Sequence, residues 1–111
     1  MPARSELSVV LTTLPHTRGA RALSKALVKE GFAACANLLP VASVFRWKGS
    51  LEEGNEVLVV FKVPQSGVGA LQREIARRHP YEVPEIVEIP AKSVNPSYLA
   101  WAKSVVRPRR R

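Results

Sequence analysis

The sequence predicts a single α+β domain in which one antiparallel sheet carries two helices on one face and a further helix closes the C-terminal end. Three observations predict it. Apolar residues recur with period two in four segments and with helical spacing in three others, in the order strand, helix, strand, strand, helix, strand, helix. The 111 residues suffice for one core and not for two. The composition, 46% hydrophobic and 23% charged, is that of a chain that folds.

The first strand spans Glu6 to Leu14, where Leu7, Val9 and Leu11 alternate with Ser8, Val10 and Thr12 before Pro15 stops the run. Val10 points to burial on both faces. A helix follows, with Ala20, Leu23 and Leu27 as its apolar stripe, Thr17 as the expected cap and Gly31 as the left-handed end. Ala33 to Lys48 reads as a long strand bent at Pro40. A turn at Gly49-Ser50 sends the chain back along a third strand containing Val57, Val59 and Phe61.

Pro64 ends that hairpin, and Ser66-Gly67 opens a second helix whose stripe is Val68, Leu71 and Ile75. The segment Glu85 to Ile89, bracketed by prolines, is a fourth strand with Val87 and Ile89 expected on its buried face. Asn95-Pro96 starts the third helix, because Asn accepts orphan backbone N–H groups and Pro in the first turn gives up none that the helix uses. Tyr98, Trp101 and Val105 form its expected inner stripe, with Leu99, Ala102 and Val106 beside it.

This order is the split βαβ, ferredoxin-like plan over residues 1–106, followed by a basic tail, 107–111, expected to be disordered. Two helices leave one sheet face bare, yet Val44, Leu58 and Val60 indicate that the bare face is apolar. A second copy of the chain is the simplest cover, so a homo-oligomer is expected, with the long hairpin reaching to a neighbour.

Several function classes are excluded. No apolar run approaches the ~20 residues of a membrane span, and Met1 to Glu6 holds no signal-peptide core, so a soluble, unexported, cytoplasmic protein is expected. One cysteine, Cys35, permits no internal disulfide and no structural zinc ladder, in keeping with a reducing compartment. No aspartate occurs, which removes Ser-His-Asp triads and EF-hand loops. Seventeen Lys and Arg against nine acids give +8, half of it from Arg107, Arg109, Arg110 and Arg111. No nucleic-acid-reading motif accompanies that tail, and nucleic acid is not an expected partner. Few thermolabile residues, with five Asn and Gln in all, lean towards a heat-adapted source.

Four segments carry a resemblance: residues 33–40 (AACANLLP), 46–49 (RWKG), 79–85 (HPYEVPE) and 95–101 (NPSYLAW). In that order and spacing the chain resembles the CutA divalent-cation-tolerance family from about Leu7 to Val105. The resemblance implies a homotrimer built like the nitrogen-regulatory PII proteins, a role in metal tolerance without enzymatic activity, and a divalent cation such as copper as the one cofactor. In members with a proposed copper site, a cysteine late in the first strand joins two consecutive histidines. The matching positions here are Thr12, Arg78 and His79, so only one of three ligands remains. A fixed guanidinium and a hydroxyl suit copper poorly, and high-affinity binding by that route is not expected.

The remaining metal candidates are His79, Cys35, Glu82 and Glu85, each with a plain alternative. His79 reads more readily as a capping or hydrogen-bonding residue at a helix end, and Cys35 as an inert small hydrophobe unless His79 approaches it. His16 reads as a residue of the helix entrance. Arg46, Trp47, Lys62, Tyr81, Glu82 and Trp101 are the expected lining of an intersubunit cleft, where Glu82 and Glu85 would meet Arg46, Lys48 or Lys62 in salt bridges. The second reading is a PII-like signalling or scaffold trimer that takes a small ligand or protein partner without metal. An enzyme is not expected, because no nucleophile or oxyanion arrangement accompanies His79.

Overall fold

Residues 6–108 are described by the structure, a computed structural model. The segment 1–5 and the arginines of the tail at 109–111 lie outside the described residues. The elements are β1 (Leu7–Leu14), α1 (Thr17–Lys29), β2 (Cys35–Trp47), β3 (Ser50–Pro64), α2 (Val68–Arg78), β4 (Val87–Pro90) and α3 (Pro96–Val105). Gln65–Gly67 forms one 3-10 turn ahead of α2. The sheet is antiparallel throughout, in the order β2-β3-β1-β4, which is the ferredoxin-like arrangement. Among the described residues, no helix is long and apolar enough to cross a membrane.

The main core lies between the sheet and α1 with α2. From the sheet come Val10, Leu14, Val57, Val59, Phe61 and Val63, and from the helices Leu23, Leu27, Leu71 and Ile75. The two helix stripes are those the spacing predicts. On β1, however, the helices cover Ser8, Val10, Thr12 and Leu14, and of the alternate set only Leu7 is buried. Leu7 owes its burial to α3, which packs Ala102 against it together with Ala34.

The sheet register fixes what shares the other face. Val9 and Leu11 pair with Lys62 and Val60 on one side and with Ile89 and Val87 on the other, and Leu58 faces Leu39. Val87 and Ile89 are 45% and 49% exposed, so the buried face expected for β4 is open in a single chain. The reason is topological: β4 is an edge strand whose apolar side faces away from α1 and α2. Val44, by the same alternation, belongs to the opposite face and lies beyond the helices, 63% exposed.

Local details differ from the sequence reading in three places. His16, not Thr17, is the N-cap of α1, and no side chain caps it. The β2–β3 turn is Lys48-Gly49, with Ser50 already paired to Trp47. Both turn residues have positive φ, 49° and 83°, the backbone of a two-residue turn whose twist suits a hairpin. Pro40 sits within β2 and the strand runs through it, in keeping with the one long strand read from the sequence; β2 is an edge strand, where proline is tolerated. On α3, Ala102 is buried while Trp101 and Val105 are exposed, since a ten-residue helix lying over the sheet end hides only a narrow strip.

Two caps match the sequence reading. Asn95 Oδ1 accepts from the Ser97 backbone N–H at 2.9 Å, and Gly31 ends α1 with φ +78°. The Arg107 N–H donates to the Gly31 carbonyl at 2.9 Å, which ties the first residue of the expected tail to the end of α1.

Candidate functional site

The segment after α2 is organised by His79. Its Nδ1 accepts from the Tyr81 N–H at 3.0 Å, so the ring proton resides on Nε2, which donates to the Thr13 carbonyl at 2.8 Å. Both ring nitrogens are thereby used, as the hydrogen-bonding alternative required. The Tyr81 ring tilts against the imidazole with centroids 4.9 Å apart. Its hydroxyl donates to Glu56 Oε2 at 2.6 Å. Burial, and then the Glu56 carboxylate, push the Tyr81 phenol up to about 12, so it is a firm donor.

The three positions matching the proposed copper ligands do not form a metal site in one chain. Thr12 is fully buried on the helix-covered face, and its Oγ1 has no hydrogen-bond partner among the described residues. Arg78 is clamped: Nη2 and Nη1 donate to the Glu30 carboxylate at 2.7 and 3.1 Å, and Nε donates to Glu74 at 3.0 Å. Hydrogen bonds from Arg78 hold the Glu30 carboxyl below its usual range, and Arg77, then Arg78, do the same to Glu74. His79 has no lone pair to spare without losing the Tyr81 contact. Among the described residues, no three His, Cys or acidic side chains are grouped as a metal ion would require.

Cys35 lies elsewhere. It pairs with Lys62, which pairs with Val9, whereas His79 is bound at Thr13, four residues or about 13 Å further along β1. The two candidate ligands thus sit towards opposite ends of the sheet, and His79 does not approach the thiol. Cys35 Sγ instead lies 3.7 Å from Asn37 Oδ1. It neighbours Tyr98, whose phenol is raised by burial first and by Cys35 second.

The six cleft candidates are dispersed in the same way. Tyr81 and Glu82 follow α2, while Arg46 and Trp47 occupy the tip of the β2–β3 hairpin. Lys62 is at the far end of β3, and Trp101 is on α3. Glu82 and Glu85 are exposed and have no ion pair or hydrogen bond among the described residues, so the bridges expected to Arg46, Lys48 or Lys62 do not form within the chain. Lys48 instead lies over the Trp47 ring, 5.6 Å from its centroid.

The CutA1 family profile, described as divalent ion tolerance protein, matches residues 8–105. The chain belongs to that family. It is 39% identical over 100 residues to mouse Protein CutA, a match that covers 89% of this chain and 56% of the mouse protein. It thus spans little more than half of that relative's length. Over 96 residues it is 41% identical to the divalent-cation tolerance protein CutA of Thermus thermophilus, covering 86% of this chain and 93% of that one. The solved structure of the Thermus thermophilus protein superposes with a TM-score of 0.86 at 38% identity, over 91% of this chain and 99% of the other. That of CutA1 from Pyrococcus horikoshii superposes at 0.87 and 35%, over 90% and 98%.

Within this CutA fold, sequence reasoning missed four partners: Glu56, the Thr13 carbonyl, and the Glu30 and Glu74 carboxylates that hold Arg78. Glu56 carried a faint signal, an acid at the alternation position shared with Leu58 and Val60. The Thr13 carbonyl carried none, because a backbone group has no side-chain signature.

Proposed function

We propose that the chain acts as a non-catalytic, homotrimeric CutA in divalent-cation tolerance, with cation contact made at low affinity through the exposed carboxylates Glu82 and Glu85 at clefts between copies. One observation carries this reading. The face that carries Val9, Leu11, Leu39, Leu58, Val60, Val87 and Ile89, with Thr13, Asn37 and Lys62 among them, is mostly apolar, draws on all four strands, and is uncovered by α1 and α2. A soluble monomer seldom exposes such a surface, and a closed ring of copies buries it on every chain. Dispersal of the cleft residues along one chain supports the same arrangement, since neighbouring copies offer a way for hairpin-tip groups to meet the segment after α2.

The carboxylates are favoured over Thr12, Arg78 and His79 because the latter are buried, clamped or already hydrogen-bonded. Hard oxygen ligands without a thiolate give weak and unselective sites for copper. No residue is proposed as a catalyst, since His79 has neither nitrogen free to act as a base.

Sedimentation equilibrium and calorimetry test the two parts separately. At micromolar dilution the expected mass is three times that of the chain, and Leu58→Lys with Val60→Glu is expected to yield smaller species; folded single molecules of the native chain would overturn the assembly. Copper or zinc titrations are expected to lose their heat in Glu82→Gln with Glu85→Gln and to keep it in His79→Ala, and the reverse pattern overturns the carboxylate assignment.

A further inference from the structure

A recess of about 790 Å³ opens between α1, the start of β2 and α3. Leu38 and Trp101 are among its apolar lining residues, and Arg21, Lys25 and Lys29 line it from α1. Four-residue spacing places these three cations on one helix face, with about 12 Å of helix axis from first to last.

Two features set this row apart from an ordinary solvated helix surface. α1 contains no acidic residue, so the row lacks the carboxylates that normally interleave with lysines at this spacing. Among the described residues, none of the three has an ion pair or hydrogen bond. Like charges four apart repel, and among the described residues no ion pair on Arg21, Lys25 or Lys29 offsets that repulsion.

A further, independent feature belongs to the same recess. Ser24 lines it, is 5% exposed, and has a buried Oγ with no hydrogen-bond partner among the described residues. Buried hydroxyls are normally satisfied. Apolar walls, a few fixed polar groups and a volume within the ~300–1,000 Å³ of small-molecule sites form one pattern. A metal ion would be repelled by the row, and inorganic phosphate would leave the apolar walls unused.

We propose that this recess binds a small amphiphilic organic anion, its flat apolar body against Leu38 and Trp101 and its carboxylate, sulfonate or phosphate head on the Arg21, Lys25 and Lys29 row. The site is complete within one protomer and stands apart from the cation reading of Glu82 and Glu85.

The probes are 8-anilinonaphthalene-1-sulfonate and its uncharged analogue N-phenyl-1-naphthylamine, titrated into the full chain in its native assembly and followed by fluorescence. The sulfonate is expected to saturate at one per protomer, with energy transfer from tryptophan that falls in Trp101→Leu. Replacing the exposed Arg21, Lys25 and Lys29 by Gln together is expected to weaken the sulfonate by about ten-fold or more and the neutral probe by less than about two-fold. Leu38→Asp keeps the cations and is expected to weaken both probes. Equal sulfonate affinity in the triple variant overturns the proposal. So does sulfonate binding that is lost in Leu58→Lys and kept in Leu38→Asp, which moves the probe to the open sheet face. Failure of the native assembly to bind also overturns it and gives the recess to a neighbouring copy.

Discussion

The imidazole of His79 is joined to the Thr13 carbonyl by a 2.8 Å hydrogen bond, which fastens the end of α2 to the end of β1. The opposite ring nitrogen holds the Tyr81 N–H, so one side chain sets the course of the segment leading into β4. Replacing His79 by Ala leaves a half-buried carbonyl and a backbone N–H without their partner. The expected loss is about 1–3 kcal/mol in urea denaturation. A variant as stable as the native chain would show that water replaces the imidazole at no cost.

Tyr81 gives the chain an alkaline limit. Its phenol is raised from the ordinary 10.0 to about 12, so the folded state holds the proton more tightly than the unfolded one. The resulting stabilisation is complete below pH 10 and is lost as pH rises through about 12. Melting temperature is therefore expected to fall over that interval, and the fall should be shallower in Tyr81→Phe. Tyr98 is also raised, so some alkaline dependence persists in that variant. An unchanged pH profile would show that neither burial nor the Glu56 contact raises the phenol in solution.

The element order was legible because proline, glycine and asparagine punctuate it at places where their backbone chemistry leaves few alternatives: Pro15, Gly31, Pro64 and Asn95-Pro96. Which face of each strand is inside was less so. In β1 both alternating sets contain aliphatic residues, and the helices take Val10 and Leu14 while Val9 and Leu11 remain half-buried. Val87 and Ile89 were misplaced for the same reason, since their alternation shows one apolar face without saying what covers it. At the site, His79 was readable as a hydrogen-bonding residue. Its partner is 66 residues away and that of Tyr81 is 25 away, and only the sheet and helix packing brings them near.

Gly31 is the position where backbone and neighbour both demand glycine. Its φ of +78° disfavours any L side chain, and a Cβ there would lie 2.6 Å from Arg107 Cγ. Gly31→Ala is expected to cost about 1–2 kcal/mol for the left-handed backbone alone, with a further loss from displacing Arg107. Adding Arg107→Ala should recover the second part and leave the first. A double-mutant cycle with zero coupling would show that Arg107 swings aside freely.

Arg78 links α1 and α2 at their C-terminal ends, and its two carboxylate partners are not equivalent. Glu74 accepts from both Arg77 and Arg78, whereas Glu30 accepts from Arg78. Glu74→Gln and Glu30→Gln are each expected to lower the melting temperature. Both effects should shrink in high salt, because these pairs are partly open to solvent. Arg78→Ala should exceed either one, since its guanidinium also lies over the Phe32 ring, 5.9 Å from the centroid. The acid side follows from the depressed carboxyls. Each binds its proton less readily in the folded state than at the usual 4.5, so its stabilisation is present above that pH and is lost as pH falls through the lowered value. Melting curves taken downward from pH 4.5 should converge for the native chain and Glu74→Gln. A gap that stays constant on acidification would place the effect of Glu74 in packing and not in charge.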